Sequence, residues 1–333
     1  MLKNKMFSRI IPVAAVCLLL CSCGKVKSSR VDGFAMNTTV SVTVYGENAD
    51  TYSAEILRTV SSLENELSWS VSGSQTAQLN GAKGGEVNAP ILAEILREVL
   101  PLCKDTDGEY SLTIRRLCAL WGIGTDSARL PSQAEIAGLL PDSECDITLD
   151  GDTVSLSSET AQLDFGSVGK GFACDKAARL LSERGADSAV VAVGGSILCF
   201  GKKSGGWRID IAVPGDINST LGELRFDSDA YVSTSGSEER YFEQDGVKYH
   251  HIFSAKTGYP ADSGLKSVTV SAKNGLMSDA LSTACFIVGY DRAVTLLEKY
   301  GADAVFVFDN GDVRVTDGLK NSFTLKNSDY SLK

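Results

Sequence analysis

The sequence predicts an α+β fold: one large domain of two intimate lobes, with mixed or antiparallel sheets flanked by helices. Three observations lead there. Alternating stretches are interrupted by helical ones without the regular strand-helix rhythm of a doubly wound sheet. Hairpin signals stand at Asp150-Gly151 and Asn310-Gly311, and such turns join antiparallel neighbours. A hydrophobic content of 43% over 333 residues can bury a sizeable core, and no internal repeat or low-complexity segment marks off a second module.

In chain order, TTVSVTVYG (38–46) alternates as a strand, and AEILRTVSSLENEL follows with Ile56, Val60, Leu63 and Leu67 at helical spacing. PILAEILREVLPLC (90–103) is a second amphipathic helix, opened by Pro90, whose missing N–H is no loss in a first turn. DITLDGDTVSL (146–156) reads as a hairpin with Asp150-Gly151 at its turn. LDFGSVGKGFACDKAARLLSERG runs from a short strand through a glycine-rich turn into a helix ending near Gly185. SAVVAVGGSILCFG, GWRIDIAV, GELRFDSDAYVSTSG and KSVTVSA supply further strands. NGLMSDALSTACFIVG and YDRAVTLLEKYGA supply two more helices, and AVFVFDNGDVRVTD closes the chain as a hairpin.

At the N-terminus, Lys3, Lys5 and Arg9 precede an apolar stretch, Ile10 to Leu20, that is too short to span a bilayer and reads as an export signal. Leu20-Cys21-Ser22-Cys23 resembles the bacterial lipobox. On that reading residues 1–22 are a lipoprotein signal peptide, Cys23 is lipidated, and 23–33 is a polar tether. Residues 34–333 then form the domain, held at the exported face of the cell membrane. Ordinary signal cleavage is the alternative. Removing residues 1–22 takes the formal charge from −10 to about −13, a poor balance for nucleic-acid binding. Cys103, Cys118, Cys145, Cys174, Cys199 and Cys285 show neither CxxC nor metal-ligand spacing. They read as small buried apolar residues, with disulfide formation open to them in an oxidising compartment.

Several segments offer chemistry, each beside a plainer reading. YHHIFSAKTGYP (249–260) holds both histidines of the chain. A neutral imidazole there can take a proton near pH 7, or serve as a hydrogen-bonded structural group. Asp279 and Thr283, four apart, share a helix face and offer two hard oxygens suited to Mg²⁺. They also fit an acid near a helix start with a threonine bonding back to the previous turn. Gly166, Gly169 and Gly171 surround Lys170 at a helix mouth, where a phosphate or close packing would equally account for them; GSVGKG is not a Walker A loop. Gly194-Gly195 admits a ligand near the backbone or marks a bulge. Trp69 and Trp121 suit stacking on a planar ring or burial in a core.

In order along the chain, AMNTTVSV, ELSWSVSGSQTAQLN, GEYSLTIRRLCALWGIG, LDFGSVGKGFACDKA, AVGGSI, STSGSEERYF, YHHIFSAKTGYP and SVTVSAKNGLMSDALSTACFIVG resemble the ApbE family. These are flavin transferases that move FMN from FAD onto a threonine of another protein, and the matching segments span residues 34 to 290. The resemblance implies an ApbE-like fold with FAD as substrate. It implies Mg²⁺ or another divalent cation held by Asp279, Thr283 and a backbone carbonyl of Gly166 or Ser167. It makes His251 and Asp279 the catalytic residues, His251 taking or helping to take the acceptor hydroxyl proton, with His250 a structural neighbour. By the same resemblance Met36, Ser68, Trp69, Trp121, Lys170, Asp175, Gly194, Gly195, Ser235 and Thr257 line the flavin cleft. The implied partner is an acceptor flavoprotein, either a membrane redox complex subunit or a secreted protein.

Some positions depart from the family pattern: Asn37, Leu112 and Ser196 replace a usual glycine, proline and acid, and Ser254-Ala255 replaces Asp-Pro. They bear on binding detail and acceptor preference. An FAD pyrophosphatase giving FMN and AMP, and a flavin-binding lipoprotein without chemistry, are the competing readings.

Overall fold

A computed structural model describes residues 27–140, 147–158 and 161–333. The expected signal segment, Cys23 and Cys145 lie outside the described residues. The alternating stretches assemble into a nine-stranded sheet whose spatial order follows the chain. Its strands are Ser28–Ala35, Thr38–Tyr45, Ser188–Val193, Ser196–Gly201, Ala230–Gly236, Leu265–Ala272, Asp303–Phe308, Asp312–Val315 and Ser331–Leu332. Neighbours pair antiparallel throughout except the final two strands, which are parallel.

The sheet is covered on both faces. Ala304 and Phe306 of Asp303–Phe308 join a core with the helices Ala49–Leu67, Pro90–Asp105, Gly169–Glu183 and Gly275–Val288. Val305 and Val307 point the other way, into a core shared with a small sheet of Trp207–Val213, Asp216–Phe226 and Phe323–Leu325. Successive side chains on a strand face opposite ways, so the unbroken apolar run AVFVF records burial on both faces. The two expected lobes are therefore layers on either side of one sheet. A third cluster, of Leu117, Trp121, Ile136 and Phe253, closes one end.

Four expectations change. Residues 28–33, read as tether, belong to an edge strand in register from Ser28↔Tyr45 to Ala35↔Thr38. An edge strand keeps one wet face, so SSRVDGFA can be polar enough to resemble a linker while its backbone is paired. The 147–156 hairpin turns at Gly151-Asp152, because Asp150 still pairs with Thr153. The short helices Gln75–Gly81, Arg115–Trp121 and Gln133–Ala137 were not anticipated, each being too brief to show a period. Nor was the hairpin Tyr241–Gln244/Val247–His250, although Asp245-Gly246 marks its turn. Cys103, Cys174, Cys199 and Cys285 are buried among apolar neighbours as expected, and Cys118 is half-buried.

Candidate active site

The site is built where two helices cross. A Cβ on Gly171 would stand 1.9 Å from the Gly275 carbonyl oxygen, and one on Gly275 would stand 2.2 Å from that of Gly171. Only glycine at both positions lets Gly169–Glu183 and Gly275–Val288 approach so closely. The crossing brings the Gly171 N–H to donate to Asp279 Oδ2 at 2.9 Å. Of the two readings of these glycines, close packing is the one this crossing displays.

Asp279 is 2% exposed, and burial pushes its carboxyl upward. The Lys170 charge, the Gly171 N–H and a hydrogen bond from Ser196 oppose that shift. Lys170 Nζ lies 3.8 Å from Asp279 Oδ1 and donates to the Gly166 carbonyl at 3.0 Å. Thr283 Oγ1 meets Ser235 Oγ at 3.0 Å and bonds back to the Asp279 carbonyl at 3.4 Å, as the plainer reading had it, whereas Asp279 lies beyond the first turn of its helix. Ser167 turns its hydroxyl to Tyr110, 3.0 Å away, leaving its backbone as the part able to ligate.

Among the described residues no three His, Cys, Asp or Glu side chains cluster as a metal site. A cation here would depend on one carboxylate beside hydroxyl and carbonyl oxygens. Such hard donors fit Mg²⁺ rather than a thiophilic metal. The Lys170 ammonium already spans two of these oxygens, so the neighbourhood accepts positive charge.

The histidines divide their work. His250 is buried, donates from Nε2 to the Ala261 carbonyl at 3.0 Å and accepts the Ile252 N–H at Nδ1. Both nitrogens are committed, and its ring meets Phe286 edge-on. His251 is half-buried by exposure, yet protein crowds its ring closely enough for desolvation to be the largest influence on it. With the Arg240 charge next in size, its pKa is held well below the usual imidazole value. Its Nδ1 lies 3.2 Å from the Arg240 carbonyl oxygen. A carbonyl only accepts, so Nδ1 carries the proton and Nε2 keeps a lone pair. The Lys170 charge acts on both His251 and Asp279.

The other expected cleft residues separate. Met36 and Asn37 form a two-residue hairpin turn with φ 54 and 56, and the Met36 methyl reaches to within 3.8 Å of where a Gly169 Cβ would be. Gly194, at φ +55, leaves room for Thr38 and the Lys170 stem, and the Gly195 carbonyl accepts the Thr234 N–H. Ser235 is buried against Ser282 and Thr283. Ser68 pairs with the Ser70 hydroxyl beside Trp69, which is 46% exposed and carries the Arg115 guanidinium 3.4 Å from its ring centroid. Thr257 is exposed and closes a turn by accepting the Tyr259 N–H.

Two placements correct the sequence reading. Asp175 uses both oxygens to accept the Gly275 and Leu276 N–H groups, at 2.6 and 2.8 Å. It caps a helix start, with Asn274 capping Met277, so each of its oxygens is engaged by a backbone N–H. Burial, opposed by those two N–H groups, raises its pKa to about 6. Trp121 is 0% exposed, donates from Nε1 to the Gly258 carbonyl, and is ringed by Phe242, Tyr249, Phe253 and Tyr259 with centroids 5.5 to 6.3 Å away. Neither face is open for a substrate to stack. Sequence reading noted Ser196 only as a departure from the family pattern and missed the Arg240 carbonyl, since a backbone oxygen carries no motif.

The ApbE family model matches residues 36–306. The FAD:protein FMN transferase of Treponema pallidum is 31% identical over 91% of this chain and 92% of its own length. That of Haemophilus influenzae is 29% identical over 93% and 95%. Among solved structures, the ApbE protein of Thermotoga maritima superposes with TM-score 0.81 at 29% identity, covering 89% of this chain and 99% of that one. The flavinyl transferase ApbE of Pseudomonas stutzeri gives 0.79 at 28% identity, covering 92% and 100%. With fold, motif order and matched length in agreement, this chain belongs to the ApbE family.

Proposed function

We propose that the protein is a metal-dependent FAD:protein FMN transferase, which joins FMN by a phosphoester bond to a threonine of an acceptor flavoprotein and releases AMP. The observation that carries this reading is the Lys170 ammonium at a helix start, 3.8 Å from the Asp279 carboxylate and acting by its charge on the His251 imidazole, whose Nδ1 carries the proton. The names of the relatives point the same way. A bound Mg²⁺ or similar cation, held by Asp279, Thr283 and the Gly166 or Ser167 carbonyl, would neutralise charge on the FAD pyrophosphate. The Lys170 ammonium, at the start of Gly169–Glu183, attracts the phosphate oxygens. The exposed Trp69 offers a face to a planar ring.

His251 Nε2 takes the proton of the acceptor hydroxyl. That oxygen bonds to the FMN phosphorus as the bond from this phosphorus to the bridging oxygen breaks, and AMP leaves with the bridging oxygen. Lipidation at Cys23 would hold the enzyme at the exported membrane face, near membrane or secreted flavoproteins.

The test incubates the full chain with FAD, Mg²⁺ and a threonine-bearing flavoprotein acceptor, followed by mass spectrometry. The expected result is a mass gain equal to FMN, abolished by Asp279→Ala. FMN and AMP in solution with an unmodified acceptor would replace this reading with a pyrophosphatase.

A further inference from the structure

An arginine lies on the exposed tryptophan. Arg115 Cζ stands 3.4 Å from the Trp69 ring centroid, and at that separation the planar guanidinium has room only when it lies nearly flat on the indole. Trp69 is still 46% exposed, so with one face covered the open surface is the other face. Each residue is fixed by its own element. Trp69 follows the helix Ala49–Leu67, whose last residue lies 3.7 Å from where a Gly169 Cβ would be, at the start of the site helix. Arg115 opens the helix Arg115–Trp121, and its N–H donates to the Gln162 carbonyl at 3.2 Å. Arg129 pairs with Glu135, whereas among the described residues no carboxylate is ion-paired with Arg115, whose charge rests on the indole.

We propose that Arg115 is a positioning residue for FAD: it holds Trp69 in one orientation from behind, so that the indole presents its free face to a planar heteroaromatic ring of the substrate. The proposal rests on the reading of Trp69 as a wall of the flavin cleft. An exposed indole in a turn has several rotamers open to it, and binding must fix one of them. A side chain ordered before the ligand arrives removes that cost, worth about three- to tenfold in affinity for one residue. The guanidinium suits the task, because it attracts the ring by its charge and matches it in shape. A lysine ammonium carries the charge without the flat surface. FAD has two rings that answer to the open face, isoalloxazine and adenine, and both stack by the same chemistry.

The experiment uses the full chain without acceptor protein, its three tryptophans replaced by 5-fluorotryptophan and followed by fluorine NMR. Trp121 and Trp207 are 0% and 2% exposed, so a ligand from solution meets only the Trp69 resonance, which is assigned by its loss in Trp69→Phe. FAD should shift that resonance; a shift with riboflavin alone assigns the isoalloxazine to the indole, and a shift with AMP alone assigns the adenine. By titration calorimetry Arg115→Ala should bind FAD about three- to tenfold more weakly, and Arg115→Lys nearly as weakly. In a Trp69→Ala background the loss of Arg115 should cost nothing further, because its effect runs through the indole. If Arg115→Ala fails to fold, Arg115→Lys, which keeps an aliphatic stem, carries the test. Wild-type affinity in either Arg115 variant, or an undiminished loss in the Trp69→Ala background, overturns the positioning role and leaves the wall standing. FAD that neither shifts the Trp69 resonance nor binds more weakly to Trp69→Ala overturns the wall reading itself.

Discussion

At His251, one hydrogen bond decides which nitrogen can act. The Arg240 carbonyl takes the Nδ1 proton and leaves Nε2 basic, while crowding by protein and the Arg240 charge keep the ring neutral well below its ordinary value of 6.5. His251→Ala should slow transfer by about 10²- to 10⁴-fold, read as single-turnover FMN transfer. His250→Ala, lacking any free nitrogen to lose, should lower thermal stability and spare the chemistry. The sign of the pH effect follows from the charge. Removing the cation in Arg240→Gln raises the His251 pKa, so the acid limb of the rate profile should move to higher pH while the carbonyl contact persists. A limb that stays in place would dissociate His251 from the rate-limiting proton transfer.

Between elements, the glycine-on-glycine crossing and the Asp175 cap hold the two site helices together. In Gly171→Ala the new Cβ meets backbone, which cannot rotate away as a side chain would. The expected cost is about 3 kcal/mol in urea unfolding, with loss of metal-dependent turnover in whatever remains folded. Asp175 makes a separate prediction. Its folded pKa of about 6 exceeds the ordinary 3.8, so between these values the folded chain binds more proton than the unfolded one. Its contribution is therefore most favourable below the ordinary value and is lost as pH rises through the folded one. Asp175→Asn removes this slope, and its stability relative to wild type should improve by about 2 kcal/mol between pH 4 and 7. A difference that does not vary with pH would show that Asp175 does not titrate there.

Across the whole molecule, a sheet in chain order separates two cores, and a third cluster around Trp121 ties the Arg115–Trp121 helix to the hairpin that leads into the histidines. Trp121→Ala should cost about 3 to 5 kcal/mol of stability, as a large buried side chain does. The FAD affinity of the folded fraction should hold, because no face of that ring is open. Trp69→Ala should do the opposite, weakening FAD binding in titration calorimetry with little change in melting temperature. Equal effects from both substitutions would remove this distinction between core and cleft.

The sequence alone determined the α+β class, the long helices and strands, the family and the segment holding both histidines. Each of those is written in a local pattern: a period, a turn dipeptide or an ordered run of motifs. Tertiary structure decided that Asp175 caps a helix, that Trp121 is core while Trp69 is exposed, and that 28–33 is strand. Those outcomes depend on partners remote in the chain: Asp175 meets an N–H 100 residues away, and Trp121 a carbonyl 137 away. No local period records such a partner. A side chain's chemistry is legible from its type, but its role is set by what the fold places against it.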